Sequence, residues 1–233
     1  MAEILSNIQV SHDVFRMKVA GEYEGKPGQF FMVRKDRGLP LLPRPLSIFD
    51  LQKQKHYIEF LYQVVGEGTR QFAHLRRGDE IELTGPLGNG FPIHEGRSAL
   101  VGGGIGIAPL YYTASHLLRP DLYLGFREEP YVIQAFKSLG LSMQVTVGGS
   151  ILDQLSMNSY DHIYMCGPEG MLRAAQRMQT EQGYKGNLYL SLEKRMACGI
   201  GACLVCSVKT KSGNRRTCVE GPVFTAQEVE IDA

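Results

Sequence analysis

Over the first 95 positions, hydrophobic residues recur in short runs that favour β-structure. Val14, Phe15, Met17 and Val19 form one run, Phe30 to Val33 a second and Leu46 to Phe49 a third, and Tyr57 to Val65 and Glu80 to Leu83 extend the series. Glycine and proline punctuate these runs at Lys26-Pro27-Gly28, Leu39-Pro40, Thr84-Gly85-Pro86 and Gly88-Asn89-Gly90. Short strands with regular turn signals predict an all-β barrel or sandwich. One helix, Thr69 to Leu75, is expected to interrupt it after Gly66-Glu67-Gly68.

Near Arg97 the rhythm changes. Ala99-Leu100-Val101 is a short apolar strand running into Gly102-Gly103-Gly104-Ile105-Gly106, and a helical segment, Ala108 to Leu118, follows. Strands at Leu122–Gly125, Met143–Val147, Ile163–Met165 and Leu188–Leu192 then alternate with helices at Tyr131–Leu139, Ile151–Leu155 and Met171–Gln182. Strand–helix alternation predicts parallel strands with crossover helices, a nucleotide-binding type of sheet. The boundary between the two patterns falls at residues 95–98.

Composition narrows the function. The 233 residues are 43% hydrophobic and carry a net charge of +1, so a broad basic surface for nucleic acid is not expected. No apolar run approaches the roughly 18–20 residues of a membrane helix. Met1-Ala2-Glu3-Ile4 lacks the basic and apolar regions of a signal peptide, so a cytoplasmic protein is expected. The six histidines are scattered without ligand-like spacing, and neither a G-x-S-x-G elbow nor a P-loop is present.

Five cysteines are present, and four crowd into residues 198–218 as Cys198-x4-Cys203-x2-Cys206-x11-Cys218. A secreted disulfide framework would spread its cysteines to close loops across a domain. The C-x4-C-x2-C…C spacing is instead the plant-type pattern for a 2Fe–2S cluster. Three thiolates within one short loop force the backbone to curl. Gly199, Gly201 and Ala202 permit this and leave amide hydrogens free to approach sulfur. A structural zinc site also uses four thiolates, but more often as two C-x2-C knuckles.

Three further motifs gain weight together. Arg44-Pro45-Leu46-Ser47 precedes Gly66-Glu67-Gly68-Thr69 by about twenty residues. A Gly-Thr pair at a helix start offers amide hydrogens and a hydroxyl to a pyrophosphate, and a nearby Arg offers charge. The Gly102–Gly106 turn lies between strand and helix, as does Cys166-Gly167-Pro168-Glu169-Gly170-Met171. Taken alone, Cys166 reads as a small buried hydrophobe. The combination resembles the ferredoxin–NADP reductase superfamily, whose flavin barrel carries an R-x-x-S motif and whose C-G-P element lies beside the nicotinamide. The resemblance implies that Arg44 contacts the FAD pyrophosphate and Ser47 the flavin near N5. Pro45, Leu46, Leu61, Tyr62, Gln63, Gly68 and Thr69 would complete the FAD site. Gly102, Gly103, Gly104, Gly106, Cys166, Gly167 and Pro168 would form the cofactor wall of the second domain. Leu46 stands where many members of that superfamily have an aromatic residue.

Over almost its whole length the chain resembles, more closely, the electron-transfer subunits of the NAD-dependent (class B) dihydroorotate dehydrogenases. The resemblance rests on Arg44–Ser47, Gly85-Pro86-Leu87-Gly88-Asn89-Gly90-Phe91, Gly102–Gly106, Glu193-Lys194-Arg195-Met196-Ala197-Cys198-Gly199-Ile200-Gly201-Ala202-Cys203, then Cys206, Cys218 and Glu220-Gly221-Pro222-Val223-Phe224. It implies three units: a flavin-binding β-barrel (1–96), a parallel-sheet nicotinamide-binding α/β domain (97–192) and a 2Fe–2S segment (193–233) with Cys198, Cys203, Cys206 and Cys218 as ligands. It also implies FAD, a 2Fe–2S cluster and exchangeable NAD(H), and a partner, the FMN-containing catalytic subunit, in a heterotetramer of two copies of each. No residue here looks like a general base for dihydroorotate. The family's acidic T-D-D-G-S segment is replaced by Val145-Thr146-Val147-Gly148-Gly149-Ser150, and Gly125-Phe126-Arg127 is a candidate contact for an adenosine end. A reductase subunit serving a hydrogenase or a ferredoxin:NADP transhydrogenase shares the same motifs. A zinc-binding or ferredoxin-like carrier module is the non-enzymatic alternative.

Overall fold

The computed structural model describes residues 1–35, 38 and 40–231. Leu39 of the expected Leu39-Pro40 turn and the last two residues of the expected cluster segment lie outside these. Six antiparallel strands close a barrel: β1 (Ala2–Ser11), β2 (Val14–Ala20), β3 (Phe30–Arg34), β4 (Arg44–Gln52), β5 (Tyr57–Gln63) and β6 (Glu80–Leu87), in the order β1-β2-β5-β4-β3-β6. Inward positions place Ile4, Met17, Val19, Phe31, Ile48, Ile58 and Phe60 in its core. Two strands depart from expectation. β1 has only Ile4 fully buried along ten residues, so no hydrophobic alternation announces it; its backbone pairs with β2 and β6. β6 runs through the Gly85-Pro86 turn signal to Leu87. There Phe30 pairs with Leu87 and Met32 with Thr84, and a bulge takes up the intervening residues. Helix α1 (Glu67–Ala73) seals one end of the barrel, with Phe72 set edge-on to Tyr62 at 5.9 Å.

The second domain contains β7 (Ser98–Gly103), α2 (Ala108–Ala114), β8 (Asp121–Phe126), α3 (Ile133–Lys137), β9 (Met143–Val147), β10 (His162–Cys166), α4 (Glu169–Glu181) and β11 (Asn187–Ser191). Helix α2 is shorter than expected because the Ser115 hydroxyl and the His116 ring both bond the Tyr112 carbonyl and close it. Beyond the cysteine loop, β12 (Ser207–Thr210) and β13 (Gly213–Arg216) form a hairpin turning at Lys211-Ser212, and β14 (Val223–Thr225) returns to the sheet. The sheet order is β14-β11-β10-β7-β8-β9, parallel except for β14. Strand order reverses between β7 and β10, so the crevice at their C-terminal ends is where a ligand is expected in such a sheet. Among the described residues, no helix is long and apolar enough to cross a membrane.

The two domains share a core. Phe49 of β4 stacks on Tyr111 of α2 at 4.7 Å, and Val14, Phe49, Leu61 and Phe91 join Leu100, Ile107 and Leu124 in one buried cluster. The C-terminal segment is pinned to the barrel by Asn89. Its Nδ2 donates to the carbonyls of Glu220 (3.0 Å) and Val223 (2.8 Å), and its Oδ1 accepts from the Val223 amide. Loss of these three side-chain bonds in Asn89→Ala should lower stability by about 1.5–2 kcal/mol, the low end of roughly 0.5–1.5 kcal/mol per bond because Asn89 is exposed. A denaturant midpoint unchanged from the parent would rule out this role for Asn89.

Candidate functional site

A cleft of about 440 Å³ opens between barrel and sheet. From the barrel, β4 supplies Arg44, Pro45, Leu46 and Ser47, β5 supplies Leu61, Tyr62 and Gln63, and α1 supplies Thr69. From the second domain come Ile105, Ala108, Pro109, Cys166 and the segment Ser191–Met196. One cleft thus gathers both the R-x-x-S strand and the C-G-P cysteine. Its volume and its mixture of apolar walls with a few polar groups suit a cofactor.

Gly68 does not face the cleft directly; it lies beneath the Arg44 guanidinium. A Cβ at position 68 would overlap Nε, Cζ and Nη2 of Arg44, and the same guanidinium donates from Nη1 to the Leu42 carbonyl. Arg44 is therefore held across the start of α1, at the cleft edge, by close approach to a glycine. The Thr69 hydroxyl departs from expectation. It accepts from the amides of Val65 (3.0 Å) and Gly66 (3.2 Å) and donates to the Gly66 carbonyl (3.1 Å). Its single proton is committed to shaping that turn, so it has none for a pyrophosphate. Tyr62 is buried against Phe15 and Phe72 and donates to Asn7, and its desolvation raises the phenol pKa.

A second cleft of about 480 Å³ lies at the C-terminal ends of β7, β8 and β9. Gly103, Gly104 and Pro168 line it; Gly102, Gly106 and Gly167 stand behind its surface. A Cβ on Gly106 would come within 2.5 Å of the Cys166 carbonyl, so that glycine serves backbone packing between the two loops. Arg127 and Gly148-Gly149-Ser150 line this same cleft, and its lining includes no carboxylate among the described residues.

Sequence reasoning missed Glu193, Lys194, Arg195 and Met196 as cleft residues. The available signals were the charged triplet Glu193-Lys194-Arg195, separated from Cys198 by Met196 and Ala197, and its place in the motif that carries the family resemblance. Glu193 is open to the cleft yet enclosed by surrounding protein, and desolvation raises its carboxyl pKa. Cys166 is fully buried. Burial first, and the nearby Glu193 charge second, push its thiol pKa up, while a hydrogen bond with Ser191 opposes them. It is therefore a protonated thiol, not a nucleophile.

The four remaining cysteines are unequal. Cys206 and Cys218 are buried, Cys198 is half-buried and Cys203 is exposed. Cys206 and Cys218 pack with Phe30 and Met32 of β3 and with Met196. Cys198 and Cys203 interact through their side chains, as do Cys206 and Cys218. Amides of Cys203, Ile200 and Ala202 face the Cys198 sulfur and hold its pKa down to about 6; the Gly201 amide faces the Cys218 sulfur, whose pKa desolvation pushes up to about 11. Among the described residues, no three His, Cys, Asp or Glu side chains converge tightly enough for a single metal ion. Four cysteine sulfurs arranged as two pairs with amide donors around them fit a 2Fe–2S cluster better than a single zinc ion.

The loop is closed from the far side by Arg216. Its guanidinium makes a two-pronged contact with Glu220 (Nε to Oε2 2.9 Å, Nη2 to Oε1 2.6 Å), and its Nη1 donates to the Gly201 carbonyl at 3.1 Å. The Arg216 amide also donates to Glu220 Oε2 at 2.7 Å. Arg216 in turn holds the Glu220 carboxyl pKa down to about 2, so the pair is ionised at neutral pH. Around the loop, Ile200, Leu204, Val205 and Val219 are exposed.

Residues 193–230 match the family described as the iron–sulfur cluster binding domain of dihydroorotate dehydrogenase B. The whole chain is similar to the dihydroorotate dehydrogenase B (NAD(+)) electron transfer subunit of Clostridium acetobutylicum, at 43% identity over 99% of this chain and 96% of that protein. The subunit of the same name from Caldanaerobacter subterraneus subsp. tengcongensis is 41% identical over 98% and 97%. Among solved structures, a chain of an NADH-dependent reduced ferredoxin–NADP oxidoreductase superposes with a TM-score of 0.89 and 27% identity, over all of this chain and 90% of that one. Phthalate dioxygenase reductase shares the fold, with a TM-score of 0.68 and 17% identity over 91% and 86% of the two chains.

Proposed function

Because this chain belongs to the electron-transfer subunits of NAD-dependent dihydroorotate dehydrogenase B, we propose that its cysteine loop and two clefts form a single path from the catalytic subunit to NAD+. The protein is an oxidoreductase subunit of pyrimidine biosynthesis that works with a 2Fe–2S cluster, FAD and NAD. The observation that carries the proposed path is a shared wall. Phe30 and Met196 line the barrel cleft and also pack on Cys206 and Cys218, so one layer of side chains separates cleft from cysteines.

In this reading Cys198, Cys203, Cys206 and Cys218 would hold the cluster, with the buried Cys206 and Cys218 on the side of the cleft and the exposed Cys203 on the outer side. Arg44, Ser47, Leu46 and Tyr62, which line the first cleft, would seat FAD there. Bound FAD exchanges a hydride with nicotinamide and single electrons with the cluster, which joins two-electron to one-electron chemistry. Cys166 lines the first cleft and Pro168 the second, so a nicotinamide held against Cys166 would meet the flavin site, with Arg127 available to its adenosine end. The division into units 1–96, 97–192 and 193–233 follows these tasks.

The outward face of the loop suits the catalytic partner. Ile200, Leu204, Val205 and Val219 present apolar surface beside the exposed Cys203, and exposed apolar patches rimmed by polar residues mark interaction sites. We place the FMN-containing catalytic subunit here, two copies of each chain per complex, in the cytoplasm, where thiols stay reduced. Leu204→Glu should weaken assembly about 30-fold, the loss of one central apolar contact of roughly 2 kcal/mol. NADH oxidation by the isolated subunit with an artificial acceptor should not change. Assembly at the parent affinity, measured by titration of one subunit into the other, would place the partner elsewhere.

The function is tested by mixing the protein with a dihydroorotate dehydrogenase catalytic subunit and following dihydroorotate-dependent NAD reduction. A rate well above that of either subunit alone is expected. No gain would defeat the path proposed here and favour a reductase subunit of another complex.

A further inference from the structure

We propose that Arg216 and Glu220 form a positioning clasp that sets the reduction potential of the cluster by holding the Gly201 amide on the Cys218 sulfur. The proposal rests on the reading of the four cysteines as cluster ligands, and it concerns residues that the family motif does not include among them.

The geometry is specific. Gly201 stands with φ +81°, a left-handed conformation that favours glycine, and a Cβ there would meet Val219 Cγ2 at 2.8 Å and Arg216 Nη1 at 3.1 Å. Its carbonyl accepts from Arg216 Nη1 at 3.1 Å, while its amide faces the Cys218 sulfur. Fixing that carbonyl fixes the plane of the peptide it belongs to, and the close contacts around Gly201 limit how far the amide on its other side can swing. Arg216 cannot wander, because Glu220 grips it at Nε and Nη2 and accepts from its own backbone amide.

As a stability element the pair matters little. Both side chains are about a third exposed (35% and 27%), and ion pairs of that exposure contribute little to folding. Its geometry is nevertheless that of an oriented, two-pronged contact, which adds directional specificity. The charges of the pair cancel in sum, although the guanidinium also acts electrostatically on Cys218 and Cys206. The proposed route is orientation: an N–H donor aimed at a ligand sulfur stabilises the more negative, reduced state and raises the potential. A clasp of this kind keeps that donor in place while the exposed side of the loop engages a partner.

Orientation and charge predict opposite outcomes. Arg216→Gln removes a positive charge and Glu220→Gln a negative one. If only charge matters, the two variants shift the potential in opposite directions. If the clasp acts by holding Gly201, both lower it. We expect both to weaken reduction about tenfold, which is about 59 mV for one electron, with Arg216→Lys lying between parent and Arg216→Gln because a point charge lacks the planar fork. The measurement is a dye-mediated redox titration of the isolated subunit followed by the electron paramagnetic resonance signal of the reduced cluster, with iron and FAD content determined in parallel. Opposite shifts, or unchanged potentials in cluster-replete variants, would overturn the proposal. Should Arg216→Gln fail to retain iron, Glu220→Gln decides: a lowered potential supports the clasp, and a raised or unchanged one overturns it. Absence of iron from the parent protein would instead overturn the cluster reading itself.

Discussion

Cys206→Ser should abolish electron flow from the catalytic subunit while leaving NADH oxidation by an artificial acceptor near the parent rate. Cys206 is buried at 2% exposure and packs with Phe30, Met32, Met196 and Cys218, which places it on the flavin side of the loop. Replacing even an outer partner of a metal ligand typically costs 10–100-fold, so losing a thiolate on this side should lower dihydroorotate-dependent NAD reduction by at least about 100-fold. The direct reaction needs only the two clefts, whose Arg44, Ser47 and Cys166 lie outside the cysteine loop. Parallel loss of both activities in a folded, FAD-replete variant would show that the cluster does not link partner and flavin.

Arg44→Ala should weaken FAD binding by about 100-fold. A charged, two-pronged contact to a phosphate contributes roughly 1.5–3 kcal/mol, and Arg44 is the only cation that β4 brings to the cleft. Its guanidinium is already held over Gly68 and tied to the Leu42 carbonyl, so little ordering cost remains at binding. Arg44→Lys should recover part of the affinity, since an ammonium restores charge without the fork. Gly68→Ala should act in the same direction and more weakly, because the new methyl displaces a flexible guanidinium and not the backbone. FAD titration of the apoprotein reads all three; parent affinity in Arg44→Ala would remove the pyrophosphate role assigned to this residue.

How far the site could be read before folding depended on the reach of each signal. The Met143–Val147 strand and the α4 region were legible because their hydrophobic periods are local. β1 was not, since its burial pattern shows a single core residue and its stability comes from backbone pairing with β2. The Arg44–Ser47 motif pointed to the cleft, and Thr69 lines that cleft too, but the direction of its hydroxyl was not legible. A hydroxyl at that position can face a ligand or its own turn, and only the Val65 and Gly66 amides at 3.0 and 3.2 Å show that it faces the turn.

By itself, the sequence determined what nearby residues can do together: the spacing of Cys198, Cys203 and Cys206 confines three thiolates to nine residues, and the Gly102–Gly106 turn joins a buried strand to a helix. Such signals survive in one dimension because backbone geometry over a few residues limits their outcomes. Tertiary structure alone decided which surfaces meet. It sets Phe30 and Met196 between the cleft and the buried cysteines, joins Asn89 to Val223 across 134 positions, and brings Arg216 to the Gly201 carbonyl. These contacts have no local period to announce them; they exist because the barrel, the sheet and the cysteine loop bury their apolar faces against one another.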